Sequence, residues 1–77
     1  MSAHIVDARN LLCPLPVIRA QDAAARAQPG DALQVLCTDP GALHDIPAWC
    51  RIHGHTVGVI TQQDRDISIT IHLGQTV

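Results

Sequence analysis

Three residues of this 77-residue chain are thiols, and their surroundings differ. Cys13 stands in the run Asn10-Leu11-Leu12-Cys13-Pro14-Leu15-Pro16, between a short β-rich segment and a helical pattern. Cys37 closes an alternating apolar segment, and Cys50 follows Trp49 in a helical stripe. A cysteine in such apolar positions is a small buried hydrophobe, which is how Cys37 and Cys50 read. Cys13 reads as reactive. It lies where a strand ends and a helix begins, the favoured place for a site in parallel α/β architectures. With Cys13 as the N-cap and Pro14 at the first helical position, a thiolate would face the positive end of the helix dipole. Free backbone N–H groups there would lower its pKa. Pro14 and Pro16 carry no N–H, so only Leu15 and Val17 can donate, and a moderately activated thiol is expected. The prolines also stiffen the turn and hold the thiol outward.

Leu11, Leu12, Leu15 and Ile18 surround Cys13 and supply more apolar surface than the buried face of the helix needs. An exposed apolar ring around a thiol reads as a docking surface. Leu11 fits the core equally well. Arg9 and Arg19 flank the motif, either to attract an anionic donor or an acidic partner surface, or simply as solvated cations. His44 and the pair His53 and His55 offer no metal-ligand spacing with a cysteine, and they read as solvated or capping residues. Asp39 and Asp45, each followed by a proline at one or two residues, read as helix caps.

The elements that must position Cys13 follow from the periodicities. His4 to Ala8 is a short strand. A helix runs from Pro14 to about Ala27, where Pro29-Gly30 stops it. Val17, Ala20, Ala24 and Ala27 share its buried face, while Arg19, Asp22 and Arg26 point elsewhere. Ala32 to Cys37 alternates as a second strand, with Leu33, Val35 and Cys37 on one side. Asp39-Pro40 starts a brief helical turn, and Asp45 with Pro47 restarts it as a longer helix. Ile46, Trp49, Cys50 and His53 form the buried stripe of that helix, and Gly54 caps it. His55 to Gln62 and Asp66 to Leu73 are strands three and four, joined by a turn at Gln63 to Arg65. In the last strand Ile67, Ile69, Ile71 and Leu73 alternate with Ser68, Thr70 and His72, as a sheet with one wet face requires. The order βαβαββ gives a two-layer α/β sandwich, a four-stranded mixed sheet with two helices on one face. No repeat, linker or low-complexity tract interrupts the chain, so residues 1–77 are expected to form a single domain.

Composition excludes several functions. The chain is 47% hydrophobic with a net charge of −2, which is incompatible with intrinsic disorder. Five arginines, no lysine, seven aspartates and Trp49 as the sole aromatic residue provide neither the basic excess nor the stacking surface of a nucleic-acid binder. An odd cysteine number without a C-x-x-C pair argues against a disulfide framework. Met1 to Asn10 lacks the pattern of a signal peptide, and no apolar run approaches the roughly 20 residues that span a bilayer. A cytoplasmic setting with reduced thiols is the expectation.

At this point the residues resemble a known family. Asp7-Ala8-Arg9-Asn10-Leu11-Leu12-Cys13-Pro14-Leu15-Pro16, with Asp39-Pro40 and Asp45-Ile46-Pro47-Ala48-Trp49-Cys50, is similar to the TusA (SirA-like) sulfur carriers with a Cys-Pro-x-Pro motif. The resemblance runs from about His4 to Leu73. It implies a βαβαββ sandwich similar to the C-terminal domain of translation initiation factor three. It also implies that Cys13 holds sulfane sulfur as a persulfide. The donor would be a cysteine desulfurase or a rhodanese-like sulfurtransferase, and the acceptor another protein, in tRNA thiolation or sulfur oxidation. Where the family has Gly, this chain has Asn10, the next-best residue for positive φ.

Residues and resemblance lead to one mechanism. The Cys13 thiolate takes sulfane sulfur from a donor persulfide and yields it to an acceptor thiolate. Such a relay needs an accessible sulfur and a docking surface rather than a pocket, and a sulfurtransferase-type persulfide relay is expected rather than an independent turnover enzyme. No metal, cofactor, nucleic acid or membrane partner is called for, and a monomer is expected. Two other readings stay open. A thiol redox sensor would pair Cys13 with Cys37, and a regulatory protein-binding module would use the apolar ring without thiol chemistry.

Overall fold

The computed structural model describes residues 3–74 of the chain. Six elements follow in the order β1 (Ala3–Ala8), α1 (Leu15–Arg26), β2 (Ala32–Cys37), α2 (Ala42–His53), β3 (Thr56–Gln63) and β4 (Asp66–His72). The sheet order is β1-β2-β4-β3, with β1 and β2 parallel and β4 antiparallel to both of its neighbours. This is the expected α/β sandwich with a mixed sheet. The helix-containing crossover makes the first two strands parallel, and the short turn after Gln63 makes the last two a hairpin.

Register decides where the motif lies. Ala8 stands opposite Cys37, and Cys37 opposite Ile67. The ends of β1 and β2 and the start of β4 therefore share one edge of the sheet, and the Cys13 turn leaves from that edge. The core lies between sheet and helices. Leu33 faces Ile71 and Val35 faces Ile69 across the β2–β4 ladder, all four fully buried. Ala20, Ala42, Ile46, Trp49 and Cys50 close the layer from the helix side. Each buried Val, Leu or Ile contributes about 1.5–3 kcal/mol relative to exposure, and the small alanine faces let the helices approach the sheet closely. On the other face Gln34 Nε2 donates to Ser68 Oγ at 3.0 Å, as polar residues on a wet face do.

Several boundaries differ from the sequence expectation. Four of the eight strand ends move by one residue, and both ends of β2 stand as expected. The second helix does not restart at Asp45. Gly41 already has right-handed helical φ and ψ, and the Asp45 N–H already bonds to the Gly41 carbonyl at 3.0 Å. Asp45 is thus inside the helix and cannot cap it. Pro47 lies within the same helix, where its ring removes one hydrogen bond, the one Leu43 O would accept. His53 leaves the buried stripe. It is exposed at the last position of α2, and its ring lies tilted beside that of Trp49, with centroids 5.5 Å apart. Gly54 ends the helix as expected, in the left-handed conformation at φ 77°.

Asp31 is a buried charged residue that the pattern did not single out. Its Oδ2 accepts from the Gln28 N–H at 3.0 Å and meets His4 Nε2 at 3.0 Å, while its carbonyl accepts from Leu73 N at 2.9 Å. These bonds tie the α1–β2 loop to the start of β1 and the residue after β4.

Candidate functional site at the Cys13 turn

Cys13 is exposed. Around it Leu12 is 74% exposed, Ile18 45% and Leu15 42%, whereas Leu11 is half-buried against the core. Of the four apolar residues expected at the rim, three present their side chains to solvent and Leu11 divides between core and surface. Pro16 is buried and anchors the first turn of the helix.

The helix start differs from the sequence reading. Pro14, not Cys13, is the N-cap; Leu15 is the first helical residue and Pro16 the second. Cys13 therefore stands one residue outside the helix. The Cys13–Pro14 peptide bond is cis. Leu15 N donates to Leu12 O at 2.9 Å, and Val17 N and Ile18 N both donate to Pro14 O, at 3.1 and 3.2 Å. The two N–H groups expected to face the sulfur are consumed by backbone carbonyls.

Carboxylates face Cys13 instead. Its backbone N–H donates to Asp39 Oδ2 at 2.7 Å, and the thiol donates to Asp45 Oδ2. Asp39 also accepts from Gly41 N at 3.2 Å through Oδ1, so it caps the turn before α2 while holding the Cys13 backbone. Asp45 projects from the first turns of α2, where side chains lean back toward the helix N-terminus and so toward the motif. The hydrogen bond to Asp45, together with the charge of both carboxylates and some desolvation, pushes the Cys13 thiol above its ordinary pKa. The expectation of an acid-shifted thiol is overturned. The helix end that would have lowered the pKa is closed off, and the nearest charge is negative.

The turn is tied down at Asn10. Its φ of 65° is the left-handed conformation anticipated for a residue in place of Gly, and its N–H donates to Thr38 Oγ1 at 2.9 Å. Arg9 is not a free cation. Its Nε and Nη2 each bond to Asp7 at 2.9 Å, and this pairing holds the Asp7 carboxyl down to about 2. Arg9 and exposed Arg19 face a shallow cleft that Asp7 and Asp66 also line, so cations and carboxylates balance there. Cys37 and Cys50 are buried as expected, and burial pushes the Cys50 thiol up to about 11. His44 and His53 are exposed, while half-buried His55 accepts from Gly74 N at 3.0 Å through Nδ1.

The family described as Sulfurtransferase TusA matches residues 4–72. The chain belongs to the TusA family. Its relatives include a protein described as "Putative sulfur carrier protein" in Neisseria meningitidis serogroup A, 41% identical over 92% of this chain and 96% of its own length. A protein of the same description in Bacillus subtilis is 39% identical over 70% of this chain and 72% of its own. The crystal structure of a SirA-like protein from Desulfitobacterium hafniense superimposes with a TM-score of 0.81. It is 25% identical and covers 92% of this chain and 97% of that one. Membership of a sulfur-carrier family, and the fold, are thereby established. The local pattern cast Asp45 as a helix cap and did not show its contact with the Cys13 thiol. The available signal was topological: Asp39 and Asp45 follow β2, whose end shares an edge with the Cys13 turn.

Proposed function

We propose that this protein carries sulfane sulfur as a persulfide on Cys13 and relays it from a donor protein to an acceptor protein. The observation that supports this most is the contrast among the three thiols. Cys13 stands exposed at the sheet edge within a rim of exposed Leu12, Leu15 and Ile18, while Cys37 and Cys50 are buried. A relay needs one accessible sulfur on a surface another protein can cover. Pro14, Leu15, Pro16 and Asn10 hold the turn, and Leu11, Leu12 and Ile18, with Arg9 and Arg19 beside them, form the docking surface. The proposed donor is a cysteine desulfurase or a rhodanese-like sulfurtransferase. The proposed setting is the cytoplasm, in tRNA thiolation or sulfur oxidation, as the family resemblance implies.

In loading, Cys13 sulfur bonds to the outer sulfur of the donor persulfide, the donor S–S bond breaks and the donor sulfur leaves as a thiolate. In unloading, the acceptor thiolate attacks the same sulfur and Cys13 is regenerated. The test is to incubate the protein with a cysteine desulfurase and cysteine and to measure intact mass. One added sulfur atom is expected in the wild type and none in Cys13→Ser. Uptake that persists in Cys13→Ser refutes the assignment.

A further inference from the structure

The carboxylate on the Cys13 sulfur is unusual for a site whose chemistry begins with a thiolate. A carboxylate beside a thiol stabilises the protonated form, and a resting Cys13 held in that form cannot attack. A surface thiol with no function has no need of such a partner. Asp45 does not cap the helix, since it is past the cap and its backbone N–H is already bonded. The favourable place of its charge in the first turn of α2 needs no contact with the sulfur. The other acid at the turn is committed elsewhere. Asp39 has Oδ2 on the Cys13 backbone and Oδ1 on Gly41 N. Asp45 is the carboxylate placed on the sulfur itself.

We propose that Asp45 is the proton acceptor for Cys13, a catalytic residue of sulfur loading that takes the thiol proton as the Cys13–sulfane bond forms. This rests on the sulfur-carrier reading. The exchange balances as follows. Cys13 Sγ gives its proton to the Asp45 carboxylate and forms a bond to the outer sulfur of the donor persulfide. The donor S–S bond breaks, and its electron pair leaves on the donor sulfur as a thiolate. The sulfane sulfur keeps its oxidation state, so no oxidant or reductant takes part. Unloading is the same exchange run backward on this protein, so a proton returns to Sγ through the same carboxyl group as the Cys13 S–S bond breaks. A base coupled to bond formation lets the thiol rest protonated, hence inert toward oxidants and stray electrophiles, and become nucleophilic only when a persulfide is docked.

The charged groups acting on the sulfur are Asp45 and, more weakly, Asp39, both from the segment at the start of α2. Removing the Asp45 charge while keeping its shape therefore separates two quantities. In Asp45→Asn the iodoacetamide alkylation of Cys13, followed by peptide mapping across pH, moves to lower pH because the thiolate is no longer repelled. Sulfur loading from a persulfidated cysteine desulfurase falls by about 10²-fold, the low end of what a positioned base contributes. The opposite movement of the two readouts is the signature. Asp45→Ser, which also lacks the carboxylate, serves if the amide variant does not fold. Loading that rises with alkylation shows that Asp45 only suppresses the thiolate and overturns the proposal, as does an alkylation profile that does not move. A wild type that takes up no sulfur overturns the carrier reading and the role of Asp45 with it. An Asp45→Asn profile that does not move, when the wild type does carry sulfur, overturns the role of Asp45 alone.

Discussion

The thiol of Cys13 donates to the carboxylate of Asp45, a residue 32 positions away in the chain. That bond joins the two segments leaving the same edge of the sheet, the turn after β1 and the helix after β2. The parallel pairing of those strands brings them together, with Ala8 opposite Cys37. The candidate site is thus a product of topology, and the Cys13 sulfur meets a helix that does not contain it.

The burial of Cys37 predicts an outcome that separates a carrier from a redox sensor. It faces the helix layer at 0% exposure, alternating with Leu33 and Val35. A disulfide needs Cα atoms within about 7 Å and converging Cβ vectors, and Cys37 would have to leave the core to meet an outward thiol. Cys37→Ala is expected to take up sulfur at the wild-type rate. Mild oxidant is expected to give no intramolecular Cys13–Cys37 disulfide on peptide mapping. That bond in good yield would promote the sensor reading.

The rim around Cys13 predicts a separation of transfer from folding. Leu12 is the most exposed of its members, and Leu15 and Ile18 are each more than two-fifths exposed. Leu12→Asp, Leu15→Asp and Ile18→Asp are expected to weaken sulfur transfer from a donor enzyme. Stability in urea should stay within about 0.5 kcal/mol of wild type, as for exposed substitutions generally. If Leu15→Asp and Ile18→Asp unfold the protein, those side chains belong to the core.

Asn10 predicts a cost that depends on backbone alone. At φ 65° an Ala is strained by about 1–2 kcal/mol, while Gly is not. Asn10→Ala is expected to lower stability by that amount and Asn10→Gly to leave it nearly unchanged. Equal effects of the two, read from urea midpoints, would mean that the turn relaxes.

Much of this was legible in the sequence because the signals were local. The clean alternation of Ile67, Ile69 and Ile71 fixed the wet and dry faces of β4, and Gly54 marked the helix end. Asn10 was readable because one residue type answers one backbone need. The second helix was misjudged because Asp45 and Pro47 carry the cap-then-proline pattern, yet the turn at 39–41 had already nucleated the helix. The thiol was misjudged for a related reason. Pattern places Cys13 near a helix start, but whether the N–H groups there are free depends on bonds within the turn. Leu12 O and Pro14 O take them, and no spacing rule shows that. The partner of the sulfur is a long-range contact, visible only once the strand order is known.

The far end of α2 supports a prediction about pH. Trp49, the sole tryptophan, has its ring 4.9 Å from that of His55 and 5.5 Å from that of His53. His55 Nδ1 accepts from Gly74 N at 3.0 Å, which requires that nitrogen to be unprotonated. Burial, with the charge of nearby His53 as a smaller contribution, lowers the His55 pKa below the ordinary 6.5. A depressed folded-state pKa means that the unfolded chain binds the proton more readily. The stability it contributes is therefore fully present above pH 6.5 and lost as pH falls through the lower folded value. Trp49 emission is expected to change over that same window, as the ring beside it acquires charge and the Gly74 contact opens. His55→Asn should abolish the transition. His53→Asn should move it up toward the ordinary histidine value, because the like charge is gone. A midpoint at or above 6.5 in the wild type, or a transition unchanged in His55→Asn, would show that another group governs it.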